Sequence, residues 1–369
     1  MKKNFFKNLK FAAVALTVCA GFAACSDDEN EATPIDWTNN ANGAYVINQG
    51  NQYGGVAGAV SYIDLSTWNV TNGVFLSVNG QSLGDTPQAA VHYGSKIYVP
   101  VYGSNKLWIV DGTTLKKLAE VSTNEPEAVC GAGKYVFVTN NDGKLTRVDT
   151  LSYETSQIEV GPNPANLCEA NGKVYVSISD GYNYAGGYAD GKKVAVVNAE
   201  TFTKERDVTV GTNPGSIVSD KWGNVYVVAR GDYYTEMPKV QRIAPDYTVT
   251  DYCSGQLVAC NGNRLYVVDY TADYTTNTCD VKSALYLTSQ DASATPAAES
   301  SWTLDANHLP EMPNALDINP ANGDLYVCAD NGPLGYSSNG YVYVYDANGN
   351  YKAKANVGVH PYGVVFTRK

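Results

Sequence analysis

Histidine is scarce in this sequence, with only His92, His308 and His360 among 369 residues. A copper or zinc centre built from several imidazoles needs more of them at one point than this chain can bring. No CxxC pair and no Cys/His cluster occurs, so thiolate zinc sites are excluded too, and no metal or cofactor is expected. The GxSxG nucleophile turn and a Gly-rich phosphate loop are both missing. These absences argue against an enzyme. The one enzyme reading these residues leave open is a lactonase holding one divalent ion on Asp180, Asp269 or Asp330. Positive charge is short as well, at 26 Lys and Arg against 37 Asp and Glu. Binding a phosphate backbone requires the opposite balance, so nucleic acid is excluded as a partner. Helix signals are missing beyond residue 24.

What the chain does contain is a repeat. A segment opening near a proline, followed about ten residues later by an aromatic-Val pair, returns seven times. It reads TPQAAVHYGSKIYVPV around Pro87, EPEAVCGAGKYVFVTN around Pro126, NPANLCEANGKVYVSIS around Pro164 and NPGSIVSDKWGNVYVVA around Pro214. It continues as SGQLVACNGNRLYVVD, with Gly255 in the proline slot, then MPNALDINPANGDLYVCAD around Pro313 and HPYGVVFTRK around Pro361. Each unit is an apolar run, a turn, an aromatic-Val strand, a loop and an alternating strand ending mostly in Asp or Asn. A more polar fourth strand completes a four-stranded blade. The seventh unit runs out of chain after one strand. The missing strands stand at the other end, as Gly43–Asn48, Ala59–Asp64 and Val70–Leu76. The pattern predicts an all-β, seven-bladed β-propeller over residues 43–369, its ring closed by pairing the N- and C-terminal strands. Roughly 47 residues per blade fits the usual blade period.

The N-terminus predicts export. Lys2, Lys3, Lys7 and Lys10 precede an apolar stretch, Phe11–Ala24, that is short for a bilayer span. Residues 1–24 therefore read as a lipoprotein signal peptide, with small residues leading to Cys25, the expected site of lipidation. Residues 25–42 follow as the lipidated cysteine, an acidic tag (Ser26, Asp27, Asp28, Glu29) and a polar tether. Removing those four lysines leaves 22 basic against 37 acidic residues, a formal balance of −15. A lipid-anchored protein on the outer-membrane surface, touching the membrane only through its anchor, is expected. In that oxidising compartment the six ring cysteines are best read as small buried hydrophobes. Cys253 and Cys279 differ, because both should emerge on one face of one blade, and a disulfide between them is expected.

Connectivity tells which face binds. Loops between strands two and three share a face, here the upper face, with the links between blades. These loops are short in the blades of Tyr98 and Tyr135 and long in the five consecutive blades of Tyr175, Tyr226, Tyr266, Tyr326 and Tyr45. A crescent-shaped wall, low on one side, is expected around the central opening. Of 28 tyrosines, those seven are core strand residues. At least ten more fall in the upper loops: Tyr53, Tyr102, Tyr182, Tyr184, Tyr188, Tyr233, Tyr234, Tyr270, Tyr274 and Tyr336. Tyrosine offers a large apolar face at low rotamer cost plus one hydroxyl, which suits a bulky ligand with polar edges. The alternative is that these rings merely pack long loops onto the ring. Asn140, Asn141, Asp142, Asp180, Arg230, Asp269, Asp330 and Asn331 follow the aromatic-Val strands onto the same face, and His308 and His360 sit in links between blades. Asp or Asn at a strand end often serves its own turn instead. The Asp346–Asn350 stretch lacks the glycine and closing acid of a calcium loop and reads as a turn.

The stretches YVFVTNNDGKLTRVDT (135–150) and LYVCAD to YVYVYDA resemble the YVTN or YncE-like propeller repeats over the whole ring. The opening blade, YVINQGNQYGG to VSYIDLSTWNVTNGVF to NGQSLGDTPQ (45–88), resembles more narrowly the BtuG-type surface lipoproteins of Bacteroidetes. That resemblance implies capture of vitamin B12 and related corrinoids on the upper face and delivery to a TonB-dependent transporter. Two other functions fit the same face: a glycan-binding lipoprotein of a polysaccharide-utilisation system, and a protein-interaction scaffold.

Overall fold

A computed structural model describes residues 42–291 and 293–367. The expected signal peptide, the lipidation at Cys25 and the tether lie outside the described residues. Seven antiparallel sheets are present, and each is one blade. Blade 1 takes its innermost strand, Pro361–Phe366, from the C-terminus and pairs it with Gly43–Asn48, which in turn pairs Ala59–Asp64. The closure predicted from the sequence is therefore the closure observed. Blades 2 to 7 follow in chain order, beginning at Val91, Pro126, Pro164, Pro214, Leu257 and Pro313. Among the described residues no helix is long and apolar enough to cross a membrane.

Blade strands form where β-branched and aromatic residues run consecutively, because both faces of each sheet are covered by neighbouring sheets. Gly43–Asn48 and Val225–Ala229 are buried at every position. The core is thus a series of layers between blades. One holds Val136, Val138, Leu107 and Ile109, and another holds Val194, Val196, Val225 and Val227. The repeating tyrosines fill these layers, and Tyr45, Tyr98, Tyr226, Tyr266 and Tyr326 are fully buried. The Tyr45, Tyr226 and Tyr266 hydroxyls reach polar partners, as Tyr45 does in donating to the Thr113 carbonyl at 2.7 Å, whereas among the described residues the buried Tyr98 hydroxyl has none.

The acidic residues ending the third strands serve turns. Asp64 Oδ1 accepts the Ser66 and Thr67 amides, and Asp149 Oδ1 those of Leu151 and Ser152. Asp346 does the same for Asn348 and Asn350, so that stretch is a turn, as expected. Asp111 and Asn198 accept in the same way, and four residues after Asp64, Asp111, Asp149 and Asn198 stand Trp68, Leu115, Tyr153 and Phe202, all with left-handed φ. Bulky residues rarely adopt that conformation. Here the side chain turns back into the core, where Leu115 and Phe202 are buried.

Two details differ from the sequence reading. Val70–Leu76 is not a full strand: pairing ends at Thr71, and Val74–Asn79 forms a short helix. Gly73, at φ 72°, turns the chain out of the sheet so that Phe75 can pack on Trp108 with ring centroids 5.3 Å apart. Cys253 and Cys279, expected to pair, are both free thiols. Cys253 lies on the last strand of blade 4's successor, blade 5, and packs in the layer shared with blade 6. Cys279 packs in the layer between blades 6 and 7. The sheet of blade 6 stands between the two sulfurs.

Candidate functional site: the upper mouth of the channel

Every blade starts its innermost strand at the upper rim. This strand is a sheet edge facing the channel, where a proline costs no ladder hydrogen bond. The residue before the proline takes a left-handed φ at Thr86, Glu125, Asn163, Asn213 and His360. Its carbonyl then accepts the amide of the residue after the aromatic-Val strand: Tyr102, Asn141, Ser179, Arg230 and Gln49 in turn. This repeated clamp fixes the side chains that Asn141 and Arg230 present at the mouth. Just past the proline the register shifts, between Pro126 and Val129, Pro164 and Leu167, and Pro214 and Ile217. Such bulges re-aim side chains. Residues on both sides of the pleat consequently line the channel.

The channel encloses a cavity of ≈ 310 Å³. Its polar lining includes Gln88, Glu127, Asn166, Arg230, Asn314 and Asp317, with Tyr362 beside them. Glu127 accepts a hydrogen bond from Asn141 Nδ2 at 2.9 Å. Burial in the channel wall pushes the Glu127 carboxyl up to about 7; the Arg230 charge opposes that shift and Glu125 adds to it. Burial likewise raises Asp317 to about 7, against the Val364 amide that donates to its Oδ2 at 2.8 Å. Near neutral pH both acids are therefore poised between charged and neutral forms. Arg230 is held by one bond, Nε to the Asn213 carbonyl at 3.3 Å.

Above the channel the tyrosines form a rim. Tyr53 is 100% exposed, Tyr234 90%, Tyr184 74%, and Tyr182, Tyr233, Tyr274 and Tyr336 are each more than half exposed. Packing of loops onto the ring does not account for rings left this open. Tyr188 is instead buried, with Tyr233, Arg230 and Asp232 of the next blade among its electrostatic neighbours, and Tyr102 is half-buried. Tyr270 is half-buried, and burial raises its phenol, with Tyr362 and Tyr233 close enough to add to the effect. The low side of the wall is bridged: the Tyr182 and Tyr102 hydroxyls share a hydrogen bond, and Asn141 Nδ2 donates to Tyr182 at 3.0 Å. Opposite, the upper loops of blades 6, 7 and 1 are stitched together. Leu334 N donates to Asn277 Oδ1 at 2.8 Å, and Asn51 Nδ2 to Ser337 Oγ at 2.7 Å. The blade 6 hairpin reaches that contact because its strands, Arg264–Asp273 and Thr278–Leu287, pair for ten residues and project beyond the sheet.

The other candidate polar residues have structural duties. Asn140 is fully buried, donating to Thr123 Oγ1 and accepting from Thr146 Oγ1. Asp180 accepts from Asn183 and from the Asp190 amide and so shapes the 180–191 loop. Asp269 caps the Tyr270 amide. Asp330 is buried and bonded by His360 Nδ1 at 2.8 Å, while its Oδ1 has no partner among the described residues. His308 lies elsewhere, stacked on Tyr351. Gln88, Glu127, Asn314 and Tyr362 were not singled out from the sequence. Their signal was present: each is the residue directly after a repeat proline. Among the described residues no group of His, Cys, Asp and Glu is arranged to hold a metal ion.

Seven blades around a channel, one closed by both termini, make the molecule a seven-bladed β-propeller. The chain belongs to the family described as a domain of unknown function, DUF5074, which spans residues 42–367. Among curated proteins none matches the sequence. One similar solved structure is a quinonprotein alcohol dehydrogenase-like protein from Bacteroides thetaiotaomicron, 19% identical, covering 89% of this chain and 78% of that one, with a TM-score of 0.57. Another is hydrazine synthase from Kuenenia stuttgartiensis, 15% identical over 75% of this chain and 88% of that one, with a TM-score of 0.58. At such identities the likeness concerns the fold alone.

Proposed function

We propose that the protein is a surface-exposed outer-membrane lipoprotein that captures a small nutrient on its upper face and hands it to a TonB-dependent transporter, without catalysis. A corrinoid is the preferred ligand, being broad, flat and fringed with amides. The observation that carries this reading is the rim of open tyrosine rings standing over a polar mouth. Flat ligand surface stacks on rings of this kind, and amides meet hydroxyl, Asn and Gln groups. The resemblance of residues 45–88 to the BtuG-type lipoproteins supports the same choice. Pockets for drug-sized ligands span roughly 300–1,000 Å³. The channel is at the small end of that range, so the ligand would lie across the rim and send only an appendage inward.

Calorimetric titration with cyanocobalamin and, in parallel, a panel of oligosaccharides tests the reading. Micromolar or tighter corrinoid binding is expected, with Tyr182→Ala and Tyr234→Ala each weakening it by up to about 10-fold. No heat with cyanocobalamin, alongside binding of an oligosaccharide, would transfer the same rim to glycan capture.

A further inference from the structure

We infer that Arg230 is the seat for an anionic group of the captured ligand, a phosphate ester or carboxylate that enters the mouth of the channel. The inference rests on the capture reading and adds a chemical requirement to it. Among the described residues Arg230 is the one cationic side chain lining the cavity. Its Nε is tied to the Asn213 carbonyl, but among the described residues neither Nη nitrogen has a hydrogen-bond partner and no carboxylate lies within ion-pair distance. The half-buried guanidinium thus keeps its planar two-donor edge unused, the edge that matches two oxygens of a phosphate or carboxylate.

The surroundings favour this placement. Position 215, the first after the blade 5 proline, is glycine, and a Cβ there would lie 2.7 Å from Arg230 Nε. A bare backbone is therefore what lets the guanidinium lie against the channel wall. Glu127, whose carboxyl feels the Arg230 charge, accepts at Oε1 from Asn141 Nδ2 rather than from Arg230. Tyr362, 39% exposed, brings to the same mouth a hydroxyl with no hydrogen-bond partner among the described residues, and feels the Arg230 charge. The chain carries a formal −11, which repels anions at long range. A lone unpaired cation at the centre of the rim reverses that locally, and leaving it half-buried without a counter-charge is unfavourable unless a ligand supplies one.

Two readouts test the seat. In the first, arginine Nε–Hε resonances of the protein are followed while inorganic phosphate, acetate or chloride is added at constant ionic strength, with Arg230→Gln identifying the signal. A saturable shift of Arg230 with phosphate or acetate, beyond that with chloride, is expected; its absence overturns the inference. In the second, cyanocobalamin, which carries a phosphodiester, is compared with dicyanocobinamide, which has the macrocycle without it. Arg230→Gln should weaken cyanocobalamin by about 10-fold and leave dicyanocobinamide within about twofold, with Arg230→Lys intermediate. Equal cyanocobalamin affinity in wild type and Arg230→Gln would refute the seat while leaving capture intact. A saturable phosphate shift without any corrinoid binding would uphold the seat and remove the corrinoid.

Discussion

Glu127 and Asp317 line one channel, and in both the dominant influence is burial, which favours the protonated acid. Both carboxyls sit at about 7, against ordinary values of 4.5 and 3.8. Between the ordinary value and about 7 the folded protein holds protons that the unfolded chain has released. Their contribution to stability is therefore complete below the ordinary values and is lost as pH rises through 7. Thermal melts at pH 5 and pH 8 check this. Wild type should lose more stability on going to pH 8 than Glu127→Gln/Asp317→Asn, with a difference in melting temperature of about 2 °C or more. Equal losses would mean that both acids are ionised throughout. These two acids show how sequence reading missed part of the site. The repeat proline marks the position of Glu127, but only the bulge between Pro126 and Val129 re-aims its side chain into the channel. Asn140 shows the converse error, since register put it on the correct face but could not show that its amide is spent on Thr123 and Thr146.

At the scale of elements, most of the fold was legible because each blade repeats a strong local signal: proline, apolar run, aromatic-Val strand and Asx turn. Closure was legible because the count of strands failed at one terminus and was made good at the other. The short helix at Val74–Asn79 was not, since its apolar residues suit a strand equally and only the Phe75–Trp108 contact decides. The Cys253–Cys279 expectation failed because a shared face does not imply a shared layer. The closing strand gives an element-level test. Pro361–Phe366 pairs Gly43–Asn48 and packs Phe366 edge-on to Tyr326 at 4.8 Å. Truncation after residue 360 removes the innermost strand of blade 1 and should abolish cooperative melting. Phe366→Ala alone should cost about 3–5 kcal/mol in denaturant unfolding. A truncated chain that melts like wild type would show that the ring does not depend on this closure.

The whole molecule brings together what the elements supply separately: a rigid ring, a narrow polar channel on its axis and open phenol rings gathered at one end. Rigidity comes from layers shared by neighbouring blades, so no blade moves without disturbing two others. Loops are freer, and capture is expected to change them alone. The most direct measurement is hydrogen–deuterium exchange with and without saturating cyanocobalamin. Protection should appear in the upper loops, at 181–191, 231–236, 270–277 and 331–338, and in the peptide carrying Tyr362, with the lower turns unchanged. Protection confined to the lower turns or the outer strands, or none at saturation, would contradict capture at the tyrosine rim.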